Sequence, residues 1–466
     1  MSASAYSPRL RTGVVLSGAG TAGAYHAGAL RAIAESGIKV DVVAAHGAGV
    51  VTALAMAVDG GARVWDQAGP WTQPRLRHAY RWRRPLRIAF LGLLACLVLL
   101  LMPLVVLVLA GLVYVAATAL ALVSLTDAAA YLVQWYASAI EWLFSPPMMP
   151  TVVPRLLVLG VLVVGGVLAA SAVVAWRTEP SRRRAVGSFW WRLLAWPLDA
   201  TEPSATGLDL LWGLVRGASH EPRPEAVDVG RRYVDVLADN FGQPGFHEVL
   251  IAVHDLDARR DLVGSILSAS GRAAMEAARA GVDAREGEVV DFTGPQRETL
   301  AGFLVGALRL PVATPPALVQ FADDGYWHGE RHRVCDRPDL ATRLVEELTI
   351  IGVEQVILIG PAPPPAVPHG MRSVPISMRA RMGELLRSFE SAAMADATAA
   401  AAGRFASVFV IRPDHNPIGP FDFDGVYDDA SDRRRTVNEL LHQGYADAFH
   451  HLIEPIVAAA DPAEVG

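Results

Sequence analysis

Two long apolar runs interrupt a chain that is otherwise typical of a soluble protein. The first, residues 88–125, contains 38 residues without a charged side chain. As one straight helix it would extend roughly 57 Å, well beyond the ~30 Å hydrocarbon core of a bilayer. Pro103 and Gly111 lie near its middle, so the run fits either a tight hairpin of two spans or one long helix that extends past the bilayer. The second run, residues 156–176, has the length of one tilted span.

A more polar segment, residues 127–144, separates the two runs. Its aromatic side chains suit the headgroup zone of a bilayer, so we expect an interfacial helix, with a further span as the alternative. These side chains are Tyr131, Trp135, Tyr136 and Trp142. Residues 88–176 are therefore predicted to form a transmembrane insert of two or four spans, which divides one water-soluble domain into two sequence segments.

Arginines flank the insert on both sides. They are Arg75, Arg77, Arg81, Arg83, Arg84 and Arg87 before it, and Arg177, Arg182, Arg183 and Arg184 after it. By the positive-inside rule both flanks should be cytoplasmic. Because they then lie on the same side of the membrane, the number of spans must be even. The alternative, buried core helices of a soluble protein, is disfavoured by the length of the runs.

Composition supports a membrane protein and excludes several other classes. The chain has 466 residues, 52% of them apolar, and a mean hydropathy of +0.31. Its net charge of -6 and the lack of a basic face give no reason to expect nucleic acid as a partner. Lys39 is the only lysine among 41 basic residues, a bias typical of a GC-rich bacterial genome. The two cysteines, Cys96 and Cys335, suggest neither a disulfide framework nor a zinc site. We therefore expect a multi-pass protein of the bacterial inner membrane, with its soluble domain in the cytoplasm.

The soluble segments alternate between strand and helix patterns. Residues 13–59 read as strand, glycine turn, helix, strand, tight turn and helix. Further strands are predicted at 247–255, 354–360 and 406–412, and helices at 224–238, 262–281, 338–349, 376–402 and 432–457. This alternation predicts an α/β fold with a mainly parallel sheet flanked by helices.

The first turn carries Gly18, Gly20 and Gly23, where backbone N–H groups and the positive end of a helix converge. Such a turn can bind an anion or stabilise a developing oxyanion. The spacing also satisfies G-x-G-x-x-G, so a nucleotide-binding protein is one alternative. In a dinucleotide fold, however, an acidic residue should end the second strand, and here Asp41 begins it.

The run SGAGTAGAYHAGALRAIAESGI, followed by VDVVAAHGAG, resembles the patatin-like phospholipases. The resemblance implies a glycine-rich oxyanion turn and a nucleophile elbow, G-x-S-x-G, at residues 45–49. The serine position holds Gly47, and Ala22 stands where the family's glycine turn usually has an arginine. The oxyanion or lipid-binding positions implied are Gly18, Ala19, Gly20, Gly23 and Ala48.

Glycine at position 47 changes the expected chemistry more than the expected fold. A nucleophile elbow holds its central residue in a strained backbone conformation and needs small neighbours, which Ala45 and Gly49 provide. Gly47 adopts such a conformation with less strain than serine. The turn can therefore persist although the attacking hydroxyl is absent.

The family pairs its serine with an aspartate in a D-G-G or D-G-A motif. The candidate here is Asp324 in FADDGYWHGE, residues 321–330, although Tyr326 occupies a position where a small residue is usual. An alternative register places His328 at the acid position and loses the aspartate. The alternative to either is a solvated acidic turn.

These observations predict a membrane-anchored patatin-like protein impaired in serine-aspartate lipid acyl hydrolysis, which acts by binding membrane lipids or a protein partner in the membrane. The alternative is an active acyl hydrolase in which Ser17, Thr21 or a water activated by His46 replaces the missing nucleophile. We expect no cofactor and no metal: the acidic turn at 422–429 lacks calcium-loop ligands, and the adjacent His450 and His451 cannot form a metal pair on one helix face.

The predicted organisation follows the same reasoning. It comprises a first part of the patatin-like domain (1–70), a basic juxtamembrane linker (71–87), the transmembrane insert (88–176), a basic and aromatic juxtamembrane segment (177–205), and the second part of the domain with a C-terminal helix (206–466).

Overall fold

The computed structural model describes residues 6–66, 69–148, 151–178, 196–280, 285–364, 377–414, 418–427 and 434–460. The chain divides into two compact units, which we call the α/β unit (1–81 and 198–466) and the helical unit (82–197). The predicted juxtamembrane segment 177–205 lies largely outside the described residues.

Nine strands of the described α/β unit form one sheet. They are β1 (Thr12–Leu16), β2 (Val42–Ala45), β5 (Glu248–Asp255), β6 (Arg260–Ile266), β7 (Val289–Asp291), β8 (Ala317–Gln320), β9 (Arg331–Cys335), β10 (Gln355–Ile359) and β11 (Ser407–Ile411). The order is β11-β10-β1-β2-β5-β6-β7, with β9 paired to β5 and β8. The pairs from β11 to β5 are parallel, whereas β5–β6, β5–β9 and β8–β9 are antiparallel. The predicted α/β class with a largely parallel sheet is confirmed.

Four short strands lie outside this sheet: β3 (Arg81–Trp82), β4 (Leu198–Asp199), β12 (Val426–Tyr427) and β13 (Arg434–Arg435). The helices of the α/β unit are α1 (Ala22–Glu35), α2 (Gly49–Asp59), α3 (Ala62–Trp65), α8 (Thr201–Val215), α9 (Ala226–Asp239), α10 (Ala269–Arg279), α11 (Leu300–Ala307), α12 (Leu340–Ile350), α13 (Met378–Ala402), α14 (Val437–Ala448) and α15 (Glu454–Ala460). Short 3₁₀ helices cover Pro70–Thr72, Pro74–His78, Pro295–Thr299 and Asp422–Asp424, and one turn of π-helix covers Phe449–Ile453.

The sheet is buried on both faces. Val14 and Leu16 of β1 join one hydrophobic cluster, and Val15 between them joins a second one. Successive side chains of a strand point to opposite faces, so these clusters occupy the two sides of the sheet. The central strands are therefore continuous apolar runs, as a parallel sheet covered by helices requires.

The predicted helix at 262–281 is wrong in its first part. Residues 260–266 form β6, which runs antiparallel to β5, and α10 begins only at Ala269. Leu262 and Ile266 of β6 are fully buried in the cluster on one face of the sheet, and Val263 is fully buried in the cluster on the other face. An apolar run of this length suits strand and helix equally, and pairing with β5 decides between them.

The helical unit contains α4 (Arg84–Leu100), α5 (Met102–Leu122), α6 (Thr126–Leu143) and α7 (Val152–Thr178). The first apolar run is not one straight helix, because α4 ends before Leu101 and α5 begins at Met102, with Pro103 in its first turn. Helix α4 packs against α7, and α5 packs against α6. The Tyr136 hydroxyl donates to the carbonyl of Val106, which ties α6 to α5.

Two helices of this unit are long and apolar enough to cross a membrane, Met102–Leu122 and Val152–Val174. Their side chains are mostly exposed, unlike those of a core helix in a soluble protein. Helix α6, at the segment predicted to be interfacial, exposes Trp135 and Trp142.

Candidate active site

The candidate site lies at the carboxyl ends of β1 and β2, which are parallel neighbours. After β1 the chain passes through Ser17 and the glycine turn into α1. After β2 it passes through His46–Ala48 into α2. The Ser17 amide donates to the carbonyl of Ile359 at 2.9 Å, so β10 fixes the start of the glycine turn. Both turns therefore meet at one edge of the sheet, where α/β proteins commonly bind ligands.

Residue 47 lies on a sharp strand-to-helix turn. Gly47 has φ +59°, in the left-handed region that favours glycine. A Cβ at Gly49 would lie 2.7 Å from the Cβ of Leu16, so only glycine fits there without movement of β1. This is the backbone form expected of a nucleophile elbow.

The space that a side chain at residue 47 would need is occupied. A Cβ there would lie 2.5 Å from the carbonyl oxygen of Gly18 and 2.9 Å from Oδ2 of Asp336. Both distances are shorter than ordinary van der Waals contact, and the first involves backbone. The turn therefore leaves no room for a side chain at residue 47, and the Asp336 carboxylate lies directly beside Gly47.

That carboxylate is not the predicted one. Asp324 is exposed in the turn between β8 and β9, and Asp336 directly follows the other end of β9. A strand of five residues separates the two by roughly 17 Å. His328, the acid position in the alternative register, is exposed in the same turn. On this geometry Asp336 replaces Asp324 as the candidate dyad acid.

Asp336 belongs to a buried hydrogen-bonded chain of three side chains. Its Oδ1 is 2.9 Å from Nδ1 of His46, and Nε2 of His46 is 2.9 Å from the hydroxyl of Ser17. All three side chains are buried. A carboxylate on one imidazole nitrogen and a serine on the other is the order found in serine hydrolase triads. We call this chain the Ser17 relay.

A second histidine supports the relay from α1. Nε2 of His26 lies 2.9 Å from the carbonyl oxygen of Ser17, which accepts a hydrogen bond from it. Burial lowers the pKa of His26 to about 3, and the Ser17 carbonyl opposes that shift. His26 is therefore neutral at physiological pH.

Two of the N–H groups that could stabilise an oxyanion, those of Ala48 and Ala19, are already hydrogen-bonded. The Ala48 amide, which follows the nucleophile position, donates to the carbonyl of Gly18 at 2.9 Å. The Ala19 amide donates to Oε1 of Glu390 at 2.9 Å. A carboxyl group of the chain itself thus occupies the glycine turn.

Glu390 is buried on α13, and its environment favours the protonated form. Burial raises the pKa of Glu390 to about 8, the Ala19 amide opposes this shift, and the charge of Asp336 adds to it. A protonated carboxyl still accepts a hydrogen bond from Ala19. Near neutral pH the Glu390 carboxyl group that binds the glycine turn is therefore mostly protonated and carries little charge.

Other parts of the unit cover the remaining glycines. A Cβ at Gly20 would overlap the carbonyl of Pro420, and one at Gly23 would overlap the ring of Trp71. The Thr21 hydroxyl, a predicted alternative nucleophile, donates to the carbonyl of Gly419 and is buried. Ala22 is also buried. Among the described residues, these contacts cover Gly20, Thr21, Ala22 and Gly23 of the turn.

A small apolar cavity adjoins the turn at Gly20 and Ala48. Its volume is about 10 Å³, which holds at most about one water molecule. Trp71 and Tyr80 line it, and the Tyr80 hydroxyl donates to the carbonyl of Leu308 at 2.9 Å. An acyl chain requires displacement of these aromatic side chains.

The described residues contain no group of three or more side chains that could hold a metal ion. In the predicted acidic turn, Oδ2 of Asp422 accepts from the Gly419 amide at 2.7 Å. His450 pairs with Glu454 at 2.9 Å, and His451 pairs with Asp414 at 3.2 Å.

Comparison with known proteins agrees with the site's backbone. The sequence model of the patatin-like phospholipase family matches residues 14–97. This part of the chain is therefore similar to the patatin-like phospholipases, and it includes the glycine turn and residue 47. The structure is similar to VipD from Legionella pneumophila at a TM-score of 0.32 and 10% identity, over 96% of this chain and 67% of VipD. No curated protein matches the sequence.

The patatin-like match contains the glycine turn and residue 47 but not Asp336 or Glu390. Sequence reasoning missed both. Asp336 directly follows a strand, as catalytic side chains often do, but Arg337 comes after it where the family motif has glycine. Glu390 lies among the polar residues of a long helix, and nothing in its local pattern indicates burial.

Proposed function

We propose that this protein is a membrane-anchored patatin-like protein that does not hydrolyse lipid esters by the family's serine-aspartate mechanism and acts by binding membrane lipids or a partner. One observation carries the proposal. The turn at Gly47 has the backbone form of a nucleophile elbow and faces the Asp336 carboxylate, but it presents no hydroxyl. A base without a nucleophile cannot form the acyl-enzyme intermediate.

Two further features support an inactive scaffold. The Ala48 and Ala19 amides are bonded to Gly18 and Glu390, so they are not available to a developing oxyanion. The adjoining cavity is too small for an acyl chain. Binding of a lipid would therefore use a rearranged pocket or another surface.

Membrane anchoring is supported by α5 and α7, the two helices with the length and hydropathy of spans. Arginines precede and follow the insert, which favours a cytoplasmic location for both flanks. With this orientation the α/β unit faces the cytoplasm, and the lipids within reach are those of the inner leaflet of a bacterial inner membrane.

A turnover assay tests the hydrolytic part of the proposal. Purified full-length protein is incubated with phospholipids and lysophospholipids, and released fatty acid is quantified by mass spectrometry. We expect no release above that of the Asp336→Asn variant, because both lack a nucleophile at residue 47. Lipids that copurify with the protein, identified in the same spectra, would reveal its binding class. Release that depends on Asp336 would contradict the proposal.

The Ser17 relay supports a second candidate function, an acyl hydrolase in which Ser17 is the nucleophile. His46 would accept the Ser17 proton, and Asp336 would stabilise the resulting imidazolium. This candidate requires Ser17 to become accessible, since its side chain is fully buried.

The Ser17→Ala variant distinguishes the two candidates. If the relay is catalytic, the variant loses all turnover, whereas Ser265→Ala, which removes another buried hydroxyl outside the site, retains it. Under the leading proposal both variants match the parent, because none of the three proteins hydrolyses lipid. Thermal unfolding of each variant verifies that the fold is retained.

A further inference from the structure

One segment of the chain, residues 70–80, covers part of the glycine turn, and we call it the strap. Near its start, the indole of Trp71 lies against Gly23, where an added Cβ would be 2.0 Å from the ring. At its end, the ring of Tyr80 packs against that of Phe421, with the ring centroids 5.8 Å apart. Trp71 and Tyr80 are both buried. The strap therefore forms one wall of the small cavity beside the turn.

The strap is attached to the rest of the α/β unit mainly by its side chains. It contains two short 3₁₀ helices, and among the described residues its backbone–backbone hydrogen bonds join only neighbours in the sequence. Two of its ties to other elements are single hydrogen bonds. The Tyr80 hydroxyl donates to the carbonyl of Leu308 at 2.9 Å, and Arg379 donates to the carbonyl of Ala79 at 3.4 Å. A segment attached in this way can separate while the sheet and the helices stay folded.

The closed position of the strap has a cost in free energy at both of its aromatic residues. Tyr80 has φ +51°, in the left-handed region that bulky residues rarely adopt. Nε1 of Trp71 is buried and has no hydrogen-bond partner among the described residues, although an indole N–H usually finds one when it is buried. Backbone strain and unpaired buried donors are typical of segments that move during function. The two residues that close the strap therefore also favour its opening.

The cavity beneath the strap is mostly apolar and ends at the glycine turn. Val51, Leu308 and Phe423 line it together with Gly20, whose amide has no hydrogen-bond acceptor among the described residues. An apolar space with an available N–H group at its edge suits an acyl chain that ends in a carbonyl group. We propose that the strap is a movable cover, and that the space opened beneath it takes the acyl chain of a membrane lipid. This rests on the lipid binding proposed above.

Thiol labelling of the full-length chain tests whether the strap opens. Cys96→Ala and Cys335→Ala remove the native thiols. In this background Thr206→Cys places a thiol in the lining of the cavity, and Ser265→Cys places one at a buried position in β6, outside the cavity. The rate at which each thiol reacts with a water-soluble reagent measures how often its surroundings open.

Tyr80→Phe is expected to raise the labelling rate of Thr206→Cys roughly fivefold, because it removes one of the hydrogen bonds that tie the strap down. The rate at Ser265→Cys should not change. Tyr233→Phe is the matched control, since it removes an equally buried hydrogen bond, to the carbonyl of Leu54, outside the strap. Equal acceleration by both phenylalanine variants would show that labelling follows general unfolding, and it would overturn the proposal. An unchanged rate in Tyr80→Phe would also overturn it.

A lysophospholipid with a photoreactive diazirine on its acyl chain tests the ligand. Mass spectrometry maps the crosslinked peptides in the parent and in Tyr80→Phe. We expect crosslinks to the cavity lining, at Val51 and Leu308, that increase in Tyr80→Phe, whereas crosslinks to α5 stay equal. Crosslinks confined to the helical unit would overturn the strap proposal and leave lipid binding in place. Absence of crosslinks from the whole chain would contradict lipid binding itself.

Discussion

Gly47→Ser is expected to destabilise the protein without creating a hydrolase. A left-handed residue other than glycine costs roughly 1–2 kcal/mol, and overpacking typically adds 1–3 kcal/mol. Both apply here, because φ is +59° and a Cβ would lie 2.5 Å from the Gly18 carbonyl oxygen. The expected loss is about 2–5 kcal/mol of unfolding free energy. Thermal or denaturant unfolding in detergent measures it, and the lipid assay measures activity.

Gly60→Ser is the matched control. Gly60 has φ +68° but no atom within 4 Å of an added Cβ, so the substitution introduces backbone strain without the contact. We expect Gly60→Ser to lower the unfolding free energy only by the cost of backbone strain, about 1–2 kcal/mol. Equal losses of unfolding free energy in Gly47→Ser and Gly60→Ser would show that the turn has room for a side chain at residue 47. Robust lipid hydrolysis by Gly47→Ser would show instead that a working hydrolase frame survives around residue 47.

Glu390→Gln is expected to remove a large part of the pH dependence of stability. The pKa of Glu390 is raised from 4.5 to about 8 by burial, so the folded state holds a proton that the unfolded state releases above pH 4.5. This contribution is fully present below pH 4.5 and is lost as pH rises through about 8. Glutamine keeps an acceptor for the Ala19 amide and cannot ionise. Between pH 5 and pH 8 the parent should therefore lose more unfolding free energy than the variant does. The expected difference between the two losses is on the order of a few kcal/mol.

The measurement is the unfolding free energy of both proteins at pH 5 and pH 8, with Glu384→Gln as an exposed control on the same helix. His26 contributes in the opposite direction, because its lowered pKa gives stability above pH 6.5 that is lost as pH falls towards about 3. It is present in all three proteins and cancels in the comparison. Parallel pH profiles of parent and Glu390→Gln would contradict the buried carboxyl on the glycine turn.

Local sequence patterns predicted the first half of the site well. The β1-α1-β2-α2 order follows from short apolar strands, glycines at the turns and helical periodicity, all within residues 12–59. The resemblance to the patatin-like phospholipases implies the position of Gly47 on the elbow, and its small neighbours Ala45 and Gly49 are compatible with it. Each of these features depends on residues close together in the sequence, where backbone sterics decide the conformation.

The second half of the site depends on long-range contacts that no local pattern contains. His46 and Asp336 are 290 residues apart, and Ala19 and Glu390 are 371 apart. The resemblance to the family's D-G motif favours Asp324, but the pairing of β8 with β9 places this residue in the turn at the opposite end of β9 from Asp336. The assignment of β6 failed for the same reason, since pairing with β5 decided a locally ambiguous run.

The claim that the protein has no serine nucleophile is tested most directly by fluorophosphonate labelling of the unmodified, full-length protein. Mass spectrometry then maps any modified peptide. The account predicts no labelled serine, because residue 47 carries no hydroxyl and Ser17 is fully buried. Stoichiometric labelling at Ser17, lost in His46→Ala, would contradict it and identify the Ser17 relay as a working catalytic triad.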